Sequence, residues 1–171
     1  MYKGIGMKKL NLLGSGVDWI EHDSSLETWV AVSVALFIKK KPDRIYHMHD
    51  LVSGGFPQHK RTQDIIKMSN IYGIPLHTKG HDDNTKFGIC KDYDFLTYPF
   101  KSSIDYMMYN AFNEGYDEIN IHGVHLYTDT EYAEQLPSFI WWIGFLTGNG
   151  VTVNVNTHNA EFNLMMNGVK Y

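Results

Sequence analysis

Short, β-rich apolar runs alternate along this chain with stretches of helical character, and that alternation restricts the fold more than any other feature. The runs are residues 9–13 (KLNLL), 27–34 (ETWVAVSV), 43–49 (DRIYHMH), 74–77, a weak one at 87–90, 118–122 (EINIH) and 151–155 (VTVNV). Between them, residues 57–72 read as a polar helix, with Pro57 suited to its first turn. The clearest helix carries Ile104, Met107, Met108, Ala111 and Phe112 at the spacing of one apolar face. A further helical region spans 131–147, where Pro137 marks a kink or the true start. A short terminal helix is expected over 159–167. Strands separated by helices need crossover connections, which make them parallel. The expected fold is therefore α/β: a three-layer, Rossmann-like domain with a mainly parallel sheet of roughly five to seven strands.

Composition narrows this further. The 171 residues are 43% hydrophobic and include 9 Phe, 4 Trp and 11 Tyr, enough for one well-packed core. One domain is expected over 1–171, with residues 1–7 read as a disordered N-terminal extension. The 15 basic and 19 acidic side chains leave a net charge of −4, which argues against long nucleic acids, since these need a basic stripe. A single cysteine excludes an intrachain disulfide framework and a cysteine-rich zinc site. The longest apolar run, residues 139–146 (FIWWIGFL), is far short of the ~20 residues of a bilayer helix. No signal-peptide pattern is visible, so no membrane partner and a cytoplasmic setting are expected.

In an open parallel sheet, ligands bind beyond the carboxyl ends of the strands. Five clusters should meet there: Gly14, Ser15 and Gly16; Ser33; His49 and Asp50; Lys101, Ser102 and Ser103; and Gly123, His125 and Tyr127. The glycine turn allows backbone N–H groups to approach a phosphate, or it is a plain tight turn. Residues 101–103 offer a cation and two hydroxyls at a helix start for an anion, or they simply cap that helix. Asp50 suits a ribose hydroxyl, a metal or a turn. His47 and His49 share a strand face, but no spacing completes a metal site, and no metal is expected. His122 reads as a core histidine. His125, on the ligand side, is the better general base or phosphate contact. Tyr98, Tyr127 and Tyr132 suit base stacking or core packing. The 139–143 run is apolar all round, which makes it a buried packing helix or a self-association surface.

The order of these motifs, GSG, then ETWVAVSVALF, KKKPDRIYHMHD and KSSIDYMMYNAFNEGYDEINIHGVHLYTD, resembles a Rossmann-like group that includes phage-encoded proteins of unassigned activity. More distantly it is similar to 6-hydroxymethylpterin pyrophosphokinase-like proteins and to bacterial sialyltransferases that use CMP-sialic acid. The resemblance covers most of residues 8–155. It implies a nucleotide framed by Gly14, Gly16, Ser102, Ser103 and Gly123. The chain departs from the pattern in its GSGVD turn, in Ser33 where asparagine is common, and in His125 where aspartate is usual. Loss of that aspartate weighs against a metal-dependent transfer and leaves nucleotide binding.

Two classes of function follow, with a third beside them. One is a protein that binds a small nucleotide or cyclic nucleotide, sequestering it as phage counter-defence proteins do, with no other cofactor assigned. Another is a nucleotide-sugar transferase or nucleotide-processing enzyme with His125 or Asp50 as base. The third is an interaction module, or a homo-oligomer, built on the Trp141/Trp142 helix.

Overall fold

The computed structural model describes residues 6–48, 60–78, 88–90, 97–125 and 131–156. Seven strands form one sheet: β1 (Lys9–Leu13), β2 (Glu27–Ala31), β3 (Arg44–His47), β4 (Leu76–Thr78), β5 (Gly88–Cys90), β6 (Glu118–His122) and β7 (Thr152–Asn156). Their order is β5-β4-β3-β2-β1-β6-β7, and every pair is parallel. Among the described residues three α-helices accompany it: α1 (Lys60–Tyr72), α2 (Ser103–Asn113) and α3 (Leu136–Gly148). This is the three-layer, Rossmann-like α/β architecture expected from the sequence.

Strand alternation sorts the core into two layers. On one face Leu10, Leu12, Trp29, Ala31, Tyr46, Ile119 and Ile121 pack with the buried sides of α2 and α3. On the other, Leu13, Val30, Ile45 and Leu76 meet Ile65 and Ile66 of α1 and the turn residues Val34 and Ala35. A residue and its chain neighbour point to opposite faces, so β1, β2 and β3 feed both layers. The outer surface of β6 and β7 differs. There Asn154 Nδ2 donates to Asn120 Oδ1 at 2.9 Å, and Asn156 Nδ2 lies 3.5 Å from His122 Nε2.

Several boundaries move from their sequence positions. β2 ends at Ala31, because residues 32–38 turn back and lay Val34 and Ala35 on the core, with Val34 N–H donating to the Ala31 carbonyl. A 3-10 helix at Val17–Glu21 has no counterpart in the sequence reading. Pro137 stands in the first turn of α3, after a 3-10 turn at Glu131–Gln135, so it marks the true start. α3 is also less enclosed than its composition suggests. Phe139, Trp142, Ile143 and Leu146 are buried, whereas Trp141 is 40% exposed. Residues 1–5 of the expected 1–7 extension, and the expected terminal helix, lie outside the described residues.

Among the described residues, no helix is long and apolar enough to cross a membrane.

A charged network ties the amino end of β2 and β3 to the end of α2. Arg44 donates from both terminal nitrogens to Glu114 at 2.6 Å each, and Glu27 Oε1 lies 3.7 Å away. Its guanidinium sits 4.1 Å above the Trp29 ring. Trp29 Nε1 donates to Glu27 at 2.7 Å, and the Tyr116 hydroxyl donates to the same carboxylate at 2.5 Å. Burial works against the charged guanidinium, but the fork of bonds to Glu114 outweighs it and holds the Arg44 pKa above its ordinary value.

Candidate functional site

The chain runs from β1 outward through β2, β3, β4 and β5, then returns past β1 to form β6 on its other side. The strand order reverses between β1 and β6, and in open α/β sheets that is where a crevice forms beyond the strand ends. Two loops meet there, Gly14–Gly16 after β1 and Gly123–His125 after β6. Their backbones are pressed together. Gly14 N–H donates to the His122 carbonyl at 2.8 Å, and Gly16 N–H to the Gly123 carbonyl at 2.7 Å.

The glycines make this approach feasible. A Cβ on Gly14 would lie 2.5 Å from the Gly123 carbonyl oxygen, and one on Gly123 would lie 2.6 Å from the Gly16 oxygen. Gly123 also holds φ at +68°, which L side chains rarely adopt. The turn read as a phosphate cradle therefore spends the N–H groups of Gly14 and Gly16 on the neighbouring loop. Ser15, between them, is exposed.

Side chains of the switch point come from both loops. Asp18, in the first turn of the 3-10 helix, is 2% exposed, and its Oδ2 lies 3.4 Å from His125 Nε2. The His125 side chain is itself only 16% exposed. A Cβ on Gly16 would fall 2.2 Å from both Cδ2 and Nε2 of that imidazole, so the ring sits directly against residue 16. Behind it, the rings of His22 and His122 meet edge to face at 6.4 Å. Burial, reinforced by His22, holds the His122 pKa below its ordinary value, while Glu21 and Asp18 pull it upward. No group of three or more His, Cys, Asp or Glu among the described residues is arranged to hold a metal.

The start of α2 resolves into the capping alternative. Ser102 is the N-cap, with its side chain accepting from Asp105 N–H at 3.4 Å. Asp105 returns the bond: Oδ2 accepts from the N–H groups of Lys101 at 2.7 Å and Ser102 at 2.8 Å. The Ser138 hydroxyl of α3 donates to the same oxygen at 2.7 Å. The helix terminus thus already holds an internal carboxylate. Burial raises the Asp105 pKa, and the four bonds from Lys101, Ser138 and Ser102 oppose that rise. Lys101 remains exposed and Ser103 half-buried. Ser33 is half-buried in the turn after β2, on the same side of the sheet.

Tyr98 packs rather than waits for a base: its ring stacks on Trp142 at 5.5 Å and meets Tyr109 edge to face at 5.4 Å. His47, read as sharing a strand face with His49, is buried with Nε2 3.5 Å from the Thr62 hydroxyl of α1. His49, Asp50 and Tyr127 lie outside the described residues, as does the side chain of Tyr132. Asp18, His22 and Asp105 were not singled out by the sequence reading. Asp105 carried a signal, since Ser102-x-x-Asp105 has the spacing of a capping box. Asp18, two residues after the second glycine, carried none.

No protein-family model matches the chain, and neither does any curated protein.

Proposed function

We propose that the protein binds a small nucleotide at the carboxyl end of β1 and β6. The observation that carries this reading is the reversal of strand order between those two strands, at the loops that hold Gly14–Gly16 and His125. A largely buried histidine beside a buried carboxylate at such a point favours a ligand site over a purely structural turn. The glycines serve the fold of the rim, and the ligand is met by side chains: His125, Ser15, Ser33 and Lys101. Binding without turnover would correspond to the sequestration that the resemblance implies. Turnover would make His125 the base. Of the two tryptophans in the interaction alternative, Trp142 is fully enclosed and Trp141 is 40% exposed.

Isothermal titration of the full chain against mono-, di- and cyclic nucleotides tests this. Saturable heat with at least one nucleotide is expected, weakened about tenfold (~1.4 kcal/mol) in His125→Ala. Absence of heat at millimolar nucleotide overturns it.

A further inference from the structure

We infer that Asp18 is a positioning residue for His125, fixing the imidazole in the tautomer with its proton on Nε2. The inference deepens the nucleotide-site reading and rests on it for its functional meaning. Its structural content stands on three observations.

The first is the 3.4 Å approach of Asp18 Oδ2 to His125 Nε2, with Asp18 only 2% exposed. An ionised carboxylate only accepts hydrogen bonds, so the nitrogen that faces it carries the hydrogen. In a neutral imidazole the lone pair then resides on Nδ1.

The second is the seat of the ring. The place a Cβ would take on Gly16 is filled by Cδ2 and Nε2, the same edge that faces Asp18. Residue 16 is a glycine because the imidazole occupies its side-chain position.

The third is the tie between the loops. Gly16 N–H donates to the Gly123 carbonyl at 2.7 Å, so the segment leading to Asp18 is fastened to the segment leading to His125. Carboxylate, seat and tether hold one edge of one ring.

This arrangement decides between the two roles open to His125. A ring held with its proton on Nε2 acts as a proton acceptor at Nδ1. The buried carboxylate of Asp18, 3.4 Å from the imidazole, places a negative charge at this point of the rim, which disfavours a phosphate contact here. His125 therefore serves as an acceptor or base, and phosphate recognition falls to other rim residues.

The test is the long-range proton–nitrogen correlation spectrum of the imidazoles in the uniformly 15N-labelled full chain, free of nucleotide, at mildly alkaline pH. His125 is expected to show a protonated Nε2 and a bare Nδ1. In Asp18→Asn that single-tautomer pattern should be lost while the other histidine signals persist. The proton on Nδ1 in the wild type, or an unchanged pattern in Asp18→Asn, overturns the inference. If Asp18→Asn does not fold, Gly16→Ala takes its place: its methyl displaces the ring, so an unchanged His125 pattern again contradicts the inference. A parallel titration with AMP, GMP, CMP and 3′,5′-cyclic AMP separates the two readings. With the tautomer fixed and no nucleotide bound, the ligand reading fails while the positioning of His125 stands. With a nucleotide bound and the tautomer mixed, the positioning fails alone.

Discussion

The two ends of the sheet are built to different standards. At the amino end, Arg44 makes two 2.6 Å bonds to Glu114, lies on Trp29 and sits beside a Glu27 that also accepts from Trp29 and Tyr116. At the carboxyl end, the side-chain contacts of the β1/β6 switch point are longer: 3.4 Å for His125–Asp18 and 3.5 Å for His122–Asn156. Bidentate, charge-assisted bonds fix one geometry. The single contacts at the carboxyl end involve imidazoles, side chains suited to taking up and giving up a proton. The amino end is a lock between β2, β3 and the α2–β6 connection. The carboxyl end holds the side chains of the proposed ligand site.

Substitutions sharpen the contrast. The largest expected effect is Gly123→Ala at the rim. The added methyl meets the Gly16 carbonyl and the backbone must hold a left-handed conformation, costing about 3 kcal/mol by chemical denaturation together with nucleotide binding. A cost under about 1 kcal/mol would show that the two loops separate easily. Arg44→Ala should cost about 2 kcal/mol, less than a fully buried pair because its side chain is 22% exposed. It should leave nucleotide affinity unchanged, and a coupled loss of affinity would erase the distinction between the ends. Ser138→Ala, which removes one donor to Asp105 and loosens α3 from the start of α2, should cost about 1 kcal/mol in the same measurement.

Two pH effects complete the comparison. For His122 the folded pKa is lowered, so between that lowered value and 6.5 the unfolded chain binds the proton and the folded one does not. Stability is fully present above 6.5 and falls as pH drops through this window, and His122→Gln should flatten the dependence. For Asp105 the folded pKa is raised, so the sign is opposite. Its contribution is greatest at acid pH and declines as pH rises from 3.8 toward the raised value, a slope that Asp105→Asn should remove. Denaturation midpoints followed across pH 3 to 8 (a range chosen around the reference carboxyl and imidazole values) check both signs.

Much of the fold was legible because it depends on local patterns. KLNLL and EINIH form strands over the residues that the sequence marks out, and Ser102 caps the helix whose apolar spacing is clearest. β2 was overread because Val32 and Val34 carry β propensity, yet the core needs Val34 and Ala35 on a turn. At the site, Gly14, Gly16, Gly123 and His125 could be named from their places after strands. What could not be read is pairing across the sheet. That Gly16 makes room for His125, and that Asp18 stands beside it, depends on β1 and β6 being neighbours although more than a hundred residues separate them. The glycine turn illustrates the difference: its composition suggests a phosphate, but its N–H groups serve the neighbouring loop.

The central claim is that a small nucleotide meets this protein at the β1/β6 rim. The most direct measurement is a backbone amide chemical-shift map of the full chain during nucleotide titration. The account predicts saturable shifts at residues 14–18 and 123–125, with Arg44, Glu27 and Glu114 unmoved. Shifts centred on the amino end of the sheet, or none at millimolar nucleotide, would contradict it.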